Sequence, residues 1–290
     1  LYQISVATVV FIIGYLYLSP LRNQKIGGTK AIPLLKKYEW FYITLCTVIA
    51  AALLFWACAE PLFHKQQLST VLVQKFQHKS PSAAVIAIML FHWTFVPYCI
   101  YAIPSISLAL TIKHPSQGIS FSDVWLLISK KPLHKNFTSF VDSICLFTLT
   151  SGMSASLAVG VLMLSSALHH LIGIAESPLL YAMIIVFIVV SFVSSATSGL
   201  LKGIRTLSFF NTNAFYLIGL FVLFAGPTNF IVYQGLEGFW VYISHFLNFT
   251  LFPDSLFPSS WLNDWTLLHW GSWLAWAPMT GLFLAKLSYG

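Results

Sequence analysis

Two groups of aromatic residues have a spacing that could build a binding site between helices. The first group is Trp93, Tyr98 and Tyr101. An α-helix turns by about 100° per residue, so Tyr98 would lie about 140° and Tyr101 about 80° from Trp93 around the helix axis. This spacing predicts that the three rings share one side of a helix.

The second group is Trp270, Trp273 and Trp276, which recur every three residues and would form a stripe along one side of a helix. Pro97 lies within the first group and Pro278 follows the second. A proline inside a helix removes one backbone hydrogen bond and sterically blocks another. We therefore expect two helices that kink close to their aromatic residues.

Two kinked helices with aromatic sides could enclose a pocket walled by rings. Backbone groups freed at a kink are tolerated at membrane depth where they line a cavity. Such a pocket suits a quaternary ammonium group, which donates no hydrogen bonds and is attracted to the faces of aromatic rings. The alternative is that these rings only fill space between helices or lie at the membrane interface, as most aromatic residues of membrane proteins do.

Few other residues could carry out chemistry. Glu60 follows one apolar run and Asp142 precedes another, so we expect both carboxylates at the interface, with Asp142 near a helix N-terminus. A proton relay is the alternative, but no apolar run carries a carboxylate near its middle. The histidines are scattered, and the adjacent His169 and His170 do not share a helical face. Since metal-binding, Walker and GxSxG motifs are also absent, the sequence predicts no metal, no cofactor and no enzyme activity.

The composition determines which solvent surrounds these residues. Of the 290 residues, 58% are hydrophobic and only 8% are charged, and the mean hydropathy is +0.81. A soluble domain carries roughly a quarter charged residues, so lipid must surround most of this chain. The net charge of +7 does not indicate nucleic-acid binding, because the basic residues lie in short loops between apolar runs. The four cysteines all lie inside such runs, and we expect buried thiols with no disulfide framework.

Long charge-free runs divide the chain into candidate membrane spans. A helix crosses a bilayer with roughly 20 apolar residues, and seven runs can hold that many: 1–21, 40–59, 80–112, 143–175, 177–201, 206–236 and 265–285. A shorter stretch, 238–253, mixes aromatic with polar residues and is expected to lie in the interface as an amphipathic helix. The predicted fold is an all-α membrane protein with seven spans in one domain.

The basic residues indicate how these spans are oriented. Of the 15 Lys and Arg residues, only Lys65, Lys75 and Lys79 lie on the side opposite to the others. Because basic loops stay in the cytoplasm, the loop at 20–39 should be cytoplasmic and the start of the chain outside. A start inside an apolar run, on the outer side, favours a further span before it, and the chain stops directly after a span. We therefore expect a multi-pass protein of the inner or plasma membrane, and a chain incomplete at both ends.

Six short segments, in order along nearly the whole chain, resemble the signature motifs of one family. They are 26–33 (IGGTKAIP), 53–61 (LLFWACAEP), 91–101 (FHWTFVPYCIY), 141–160 (VD, then SLAVG), 198–204 (SGLLKGI) and 273–281 (WLAWAPMTG). The family is that of the betaine/carnitine/choline transporters (BCCT). Each match alone is weak, but six in the correct order are specific.

The resemblance implies an inverted-repeat secondary transporter with twelve spans, of which this chain would hold the second to the eighth. Residues 1–21 would be a peripheral span and 40–236 the first five-helix repeat. Residues 237–264 would be an extracellular interfacial segment, and 265–287 the first helix of the second repeat. Both ends of such a protein lie in the cytoplasm.

The resemblance also implies a substrate site made of aromatic rings, at Trp93, Tyr98, Tyr101, Trp273 and, deeper in the site, Trp276. Tyr98 stands where the family has tryptophan. A ring is therefore present at every position of the site, and a trimethylammonium pocket is expected.

The chain departs from the family in two places that matter for mechanism. The family's glycine-rich stretch reads VIAAA at 48–52, and alanine favours a helix over glycine by about 1 kcal/mol per residue, so this helix should be less unwound. Two threonines that sodium-coupled members use are Leu149 and Met153 here, and the phenylalanine after the proline is Met279. Leucine cannot ligate sodium and a thioether is a poor ligand for a hard cation, so we expect weak or no sodium coupling at this site.

The sequence thus predicts a secondary transporter that takes up or exchanges a small quaternary ammonium compound, such as glycine betaine, carnitine or choline, by alternating access. A homo-oligomer and a coupling ion are compatible with this prediction, and no nucleic-acid partner is expected. Two alternatives stay open: a transporter for another small solute, and a non-transporting sensor or degenerate paralogue.

Overall fold

The computed structural model of the chain describes residues 2–48, 51–68, 71, 75–76, 80–114, 116–198 and 200–290. Every regular element in these residues is helical, which confirms the all-α prediction. The chain forms two compact units. The first comprises residues 1–34, 60–149 and 226–290, and the second comprises residues 35–59 and 150–225.

The longer helices are numbered here in chain order. They are α1 (Tyr2–Leu18), α2 (Lys37–Val48), α3 (Ala51–Gln67), α4 (Pro81–Trp93), α5 (Phe95–Ala109), α6 (Ser122–Ser129), α7 (Lys135–Ile172), α8 (Pro178–Thr197), α9 (Leu200–Ala225), α10 (Thr228–Ser244), α11 (Phe246–Leu251) and α12 (Leu268–Leu287). A π-helical turn, Leu262–Leu267, leads directly into α12. The stretch predicted as one interfacial helix at 238–253 is divided among the end of α10, α11 and a short 3₁₀ turn.

Two helices begin at the same local signal, a serine followed by a proline. The Ser80 hydroxyl accepts a hydrogen bond from the Ala83 backbone N–H (3.0 Å) at the start of α4. The Ser177 hydroxyl accepts one from the Leu180 N–H (3.2 Å) at the start of α8. Serine caps the free N–H groups of a first turn, and proline in that turn loses no hydrogen bond.

Within the described residues, four helical segments are long and apolar enough to cross a membrane: Pro81–Ala109, Lys135–Ile172, Pro178–Thr197 and Lys202–Ala225. In the first, 61% of the apolar window is buried within the protein, whereas in the other three the buried share is 6–11%. An apolar environment has to cover side chains exposed to this extent. The seven-span count stays a prediction, and residues 49–50, inside the run predicted as the second span, lie outside the described residues.

The apolar segment that carries Trp93 is broken at Thr94, between α4 and α5. Thr94 has φ −114° and ψ −116°, outside the helical region, and its backbone N–H and hydroxyl both donate to the Leu90 carbonyl. Pro97 explains the position of the break, because it lacks the N–H that would bond to the Trp93 carbonyl, and its ring would collide with that carbonyl. The kink predicted from Pro97 is confirmed, whereas α12 continues through Pro278 as one helix.

Two glycines allow helices of the first unit to pack closely. A Cβ atom at Gly238 of α10 would lie 2.6 Å from the Cβ of Ile86 on α4. A Cβ atom at Gly281 of α12 would lie 2.8 Å from the Cβ of Pro104 on α5. Real Cβ atoms do not approach this closely, so both positions require glycine. These contacts hold α10 against α4 and α12 against α5, on either side of the break at Thr94.

The second unit is held together by contacts between α2 and α9. Glu39 Oε1 lies 3.2 Å from Arg205 Nη1, and the Tyr42 and Phe209 rings meet edge to face with centroids 5.6 Å apart. The four cysteines are free thiols, of which Cys99 and Cys145 are buried. Cys58 is exposed, so the prediction of a buried thiol is wrong there.

Candidate functional site

Trp273 is the centre of the aromatic contacts predicted from the sequence. Its ring lies on α12 and meets the Tyr101 ring of α5 with centroids 5.0 Å apart, and the Trp93 ring of α4 with centroids 5.7 Å apart. Both contacts are edge to face, a favoured geometry for aromatic pairs. Only 8% of Trp273 is exposed. The structure therefore brings together three of the five predicted site residues.

Tyr98 and Trp276 are not part of this ring contact in the described structure. Tyr98 is 43% exposed, and Trp276 lies half-buried on α12. The helical angles predicted between Trp93, Tyr98 and Tyr101 assumed one continuous helix, and that assumption is wrong because the helix breaks at Thr94. Trp93 and Tyr101 meet through Trp273 instead of through a shared helix side.

A buried carboxylate lies directly beside Trp93, Tyr101 and Trp273, which are called the ring cluster below. Glu60 of α3 is completely buried. Its Oε1 atom accepts hydrogen bonds from His64 Nε2 (2.9 Å) and His92 Nδ1 (2.8 Å), and its Oε2 atom accepts one from the indole N–H of Trp93 (2.7 Å). The position of Glu60 at the membrane interface stays a prediction, but its carboxylate is enclosed by protein side chains. Several N–H donors replace the water that the carboxylate loses on burial, which is the condition for burying such a charge.

A third histidine completes the surroundings of Glu60. His269 Nε2 lies 3.5 Å from Glu60 Oε2, and the His269 ring stacks on His92 with centroids 4.3 Å apart and planes 13° from parallel. The interpretation of the histidines as scattered is thus wrong for His64, His92 and His269. Helix packing brings His92 and His269, from two distant parts of the chain, onto a carboxylate that already has His64 one turn away. The name histidine cluster is used below for Glu60, His64, His92 and His269.

The π-helical turn before α12 supplies two further contacts to the histidine cluster. The Trp265 carbonyl lies 2.8 Å from His269 Nδ1, and the Thr266 hydroxyl lies 3.2 Å from His92 Nε2. Wider π-helical turns inside helices are frequent at functional sites, because they change the direction of side chains and free backbone groups. Here the turn fixes the orientation of two imidazole rings.

Trp93 connects the histidine cluster to the ring cluster. Its indole N–H bonds to Glu60, while its ring contacts both Trp273 and His269. The sequence contained a signal for this arrangement that periodicity of the aromatics alone missed. Glu60 and His64 are one helical turn apart, as are His269 and Trp273, and His92 directly precedes Trp93.

Glu60, His92 and His269 also lie close enough together to be tested as metal ligands. Their donor atoms are within 4.8 Å of one another. However, His92 Nδ1 points its proton at the carboxylate, so its lone pair is not available on that side. The contacts in this group are those of a hydrogen-bonded network.

Asp142, the other carboxylate considered from the sequence, has a different environment. Helix α7 begins at Lys135, so Asp142 lies two turns inside the helix, and the prediction of a helix N-terminus is wrong. The macrodipole effect acts within the first turn. Asp142 instead accepts hydrogen bonds from the Ser120 hydroxyl (2.9 Å) and the Phe121 N–H (3.3 Å), which fixes the loop before α6.

The apolar helices and the buried cluster define an integral membrane protein with an internal polar and aromatic site. A family profile described as BCCT, betaine/carnitine/choline family transporter, matches residues 1–290. The chain therefore belongs to this family of transporters, and the membrane localisation predicted from composition is confirmed. The resemblance seen in the six sequence segments is confirmed as well.

Three curated relatives show how far the similarity extends. The chain is 27% identical over 290 residues to an ectoine/hydroxyectoine transporter of Virgibacillus pantothenticus, covering 100% of this chain and 57% of that protein. It is 28% identical over 281 residues to the glycine betaine transporter OpuD of Bacillus subtilis, covering 95% and 54%. It is 28% identical over 292 residues to the osmo-dependent choline transporter BetT2 of Acinetobacter baylyi, covering 100% and 42%. The chain spans about half the length of the curated relatives it matches.

Proposed function

We propose that this protein is a secondary transporter that takes up or exchanges a small quaternary ammonium compound by alternating access. The observation that carries the proposal is the contact of Trp93, Tyr101 and Trp273 at the break between α4 and α5. Broken helices at membrane depth are typical of the substrate sites of inverted-repeat transporters. In this proposal residues 40–236 form the first repeat, and residues 265–287 begin the second.

Aromatic rings suit the proposed substrate because a trimethylammonium group is held through ring faces. A desolvated cation–π contact contributes about 2 kcal/mol. The edge-to-face contacts of Trp273 leave no space for such a group between the contacting rings, so the proposal assigns binding to the ring faces that these contacts leave free. Tyr98 and Trp276 complete the proposed substrate site, from α5 and α12.

The names of the relatives support the substrate class and also define its limits. Two of the three transport glycine betaine or choline, which carry a trimethylammonium group, whereas the third is named for ectoine and hydroxyectoine. A site for another small solute is therefore the competing proposal. Binding constants for glycine betaine, choline, carnitine and ectoine, measured on the purified protein by calorimetry, separate the two.

The test of the proposed site compares two substitutions of one ring. Trp273→Leu removes the π-face, whereas Trp273→Phe keeps a smaller one, so Trp273→Phe should retain more affinity for the trimethylammonium compounds. Trp240→Leu is the matched control, because Trp240 is 63% exposed on α10. Equal loss of affinity in Trp273→Leu and Trp273→Phe would show that the ring only fills space.

Uptake into liposomes then separates a transporter from a sensor. A transporter accumulates the solute above the level of empty liposomes. Binding without accumulation would favour the non-transporting alternative, and no binding of any of the four solutes would overturn the proposed function.

A further inference from the structure

Both ring nitrogens of His269 face hydrogen-bond acceptors. Nδ1 lies 2.8 Å from the Trp265 carbonyl oxygen, and a carbonyl can only accept. Nε2 lies 3.5 Å from Glu60 Oε2, and a carboxylate can only accept. A neutral imidazole has one N–H and one lone pair, so a neutral His269 that donates to Trp265 would point its lone pair at the carboxylate.

The other two histidines of the cluster do not have this conflict. His92 donates from Nδ1 to Glu60 Oε1, and its Nε2 faces the Thr266 hydroxyl, which can donate. His64 donates from Nε2 to Glu60 Oε1, and its Nδ1 has no hydrogen-bond partner among the described residues. A second proton on His64 would therefore have nothing to bind, whereas a second proton on His269 would lie between two acceptors.

The net charge around Glu60 also favours an added proton between Glu60 and His269. Among the described residues no lysine or arginine pairs with Glu60, and its titratable neighbours are His64 on its own helix, His92 on α4 and His269 on α12. Lys65 on α3 and Asp264 in the π-helical turn are exposed. With three neutral imidazoles the buried cluster would carry one uncompensated negative charge, which is costly, and one added proton makes it neutral.

We propose that Glu60 and His269 form a proton-binding site that holds one proton between Glu60 Oε2 and His269 Nε2. In the loaded state the proton is bonded to either atom, and the pair is neutral overall. On release the bond to hydrogen breaks, its electron pair stays on nitrogen or oxygen, and water accepts the proton. Glu60 is completely buried and only 11% of the His269 side chain is exposed, so release requires a conformational change that admits water to the carboxylate.

The position of this proton links it to the ring cluster. Glu60 Oε2 is shared by His269 and by the indole N–H of Trp93, and the His269 ring also contacts Trp93 edge to face with centroids 5.4 Å apart. Loss of the proton changes the charge on the oxygen that holds Trp93. On the proposed function, solute movement is thereby coupled to proton movement, and the proton takes the role of coupling ion.

The first test measures the proton itself and needs no transport. Histidine labelled with ¹⁵N and ¹³C is incorporated into the full protein in lipid, and ring signals are recorded by solid-state NMR at neutral pH. The signals lost in His269→Gln belong to His269, and His114→Gln, in an exposed loop, is the matched control. We expect a doubly protonated His269 ring, or a ring hydrogen-bonded to a protonated Glu60, and a neutral ring protonated only at Nδ1 in Glu60→Gln. A His269 ring in the parent with the same signals as in Glu60→Gln would overturn the proposal.

A double-mutant cycle in melting temperature distinguishes loss of the Glu60–His269 pairing from a general loss of folding. His269→Gln leaves the Glu60 charge without its proton partner and should lower the melting temperature, whereas the double variant Glu60→Gln/His269→Gln carries no charge and should recover part of the loss. Additive losses would contradict the pairing of the two groups.

The second test asks whether the proton moves with the solute. Proteoliposomes loaded with a pH-sensitive dye are given an inward gradient of glycine betaine or choline. We expect acidification inside with the parent, and loss of this signal in His269→Gln while solute binding persists. Equal proton movement in parent and variant, or solute transport by the parent without proton movement, would overturn the coupling.

If the parent binds and transports no solute, the proposed function fails, and the NMR measurement still decides whether the proton site exists. Stoichiometric Zn²⁺ binding by the parent that His269→Gln abolishes would show a metal site and overturn the assignment to a proton.

Discussion

The two units of the molecule each bury a glutamate, and they neutralise it in different ways. In the second unit, Glu39 of α2 faces Arg205 of α9 at 3.2 Å and accepts the backbone N–H of Lys36 at 2.9 Å. In the first unit, Glu60 is surrounded by imidazole and indole N–H groups. Arginine stays charged at any physiological pH, so the partner of Glu39 is permanent. The imidazole partners of Glu60 carry no such permanent charge.

The comparison teaches that a buried carboxylate in this protein is not by itself a functional signal. Glu39 closes the N-terminus of α2, since its side chain accepts the backbone N–H of Lys36, the residue directly before the helix, as in a capping box. Glu60 bonds to His64 on its own helix, but its other partners come from α4 and α12. The chemical type of the partner, fixed or titratable, distinguishes a structural carboxylate from one that can take part in a cycle.

The largest difference between the two glutamates should appear when each is truncated. Glu60→Ala removes the acceptor for three N–H groups inside the protein, and we expect a loss of about 3–5 kcal/mol in unfolding free energy. Glu39→Ala should lose less, because the Arg205 side chain that it leaves is 43% exposed and can be hydrated. Reversible unfolding in detergent measures both, with Glu60→Gln as the variant that keeps an acceptor oxygen. Equal losses of unfolding free energy in Glu60→Ala and Glu39→Ala would contradict the difference between the two sites.

The ring cluster beside Glu60 should respond in affinity more than in stability. Trp273→Leu is expected to weaken binding of a trimethylammonium solute by about 2 kcal/mol, or roughly thirtyfold in Kd. Trp276→Leu should weaken it less, because Trp276 has no contact with the Trp93, Tyr101 and Trp273 rings in the described structure. Calorimetry on purified variants gives the Kd of Trp273→Leu and of Trp276→Leu. A larger loss of affinity in Trp276→Leu would show that Trp276, and not Trp273, is the central ring of the substrate site.

Glycine substitutions compare packing in the two units. Gly238→Ala places a methyl group 2.6 Å from Ile86, and overpacking of this kind costs about 1–3 kcal/mol. Gly219→Ala, on α9 of the second unit, meets nothing within 4 Å and should stabilise its helix by up to about 1 kcal/mol. Melting temperatures should therefore shift in opposite directions, and a shift in the same direction would contradict the packing at Gly238.

The Glu39–Arg205 pair should give a small, salt-dependent effect. Arg205→Gln keeps a hydrogen-bond donor and removes the charge, and we expect a loss of about 0.5–1 kcal/mol because Arg205 is partly exposed. Added salt should shrink this difference. The effect of Glu60→Ala should not change with salt, since that site is fully buried. A salt-independent effect of Arg205→Gln would show that its charge is not screened.

Sodium should have the smallest effect of all. Leu149 and Met153 offer no oxygen ligand, so replacing external sodium with N-methylglucamine should leave the initial rate of solute uptake nearly unchanged. A proton gradient imposed under the same conditions should change the rate. A steep dependence on sodium concentration would contradict both the ligand argument and the role given to Glu60 and His269.

Several features of the site could be predicted from particular residues. Pro97 predicted the break between α4 and α5, because the missing N–H and the proline ring act on the preceding turn whatever surrounds them. The spacing of Trp270, Trp273 and Trp276 predicted a tryptophan stripe on one helix, and Trp273 lies at the ring contacts. The angles across Thr94 were wrong, because a break changes the rotation between residues that periodicity treats as fixed.

The sequence by itself determined the surroundings of this protein, because the scarcity of charge and the length of the apolar runs require an apolar solvent for any fold the chain adopts. It also determined the family, through six local motifs. Only the tertiary structure decided that Glu60 is buried and that His92 and His269 face it, 32 and 209 positions further along the chain. Helical periodicity states which residues share a side of one helix. The contacts between sides of different helices depend on how those helices pack, and here on the close approach that Gly281 permits between α12 and α5.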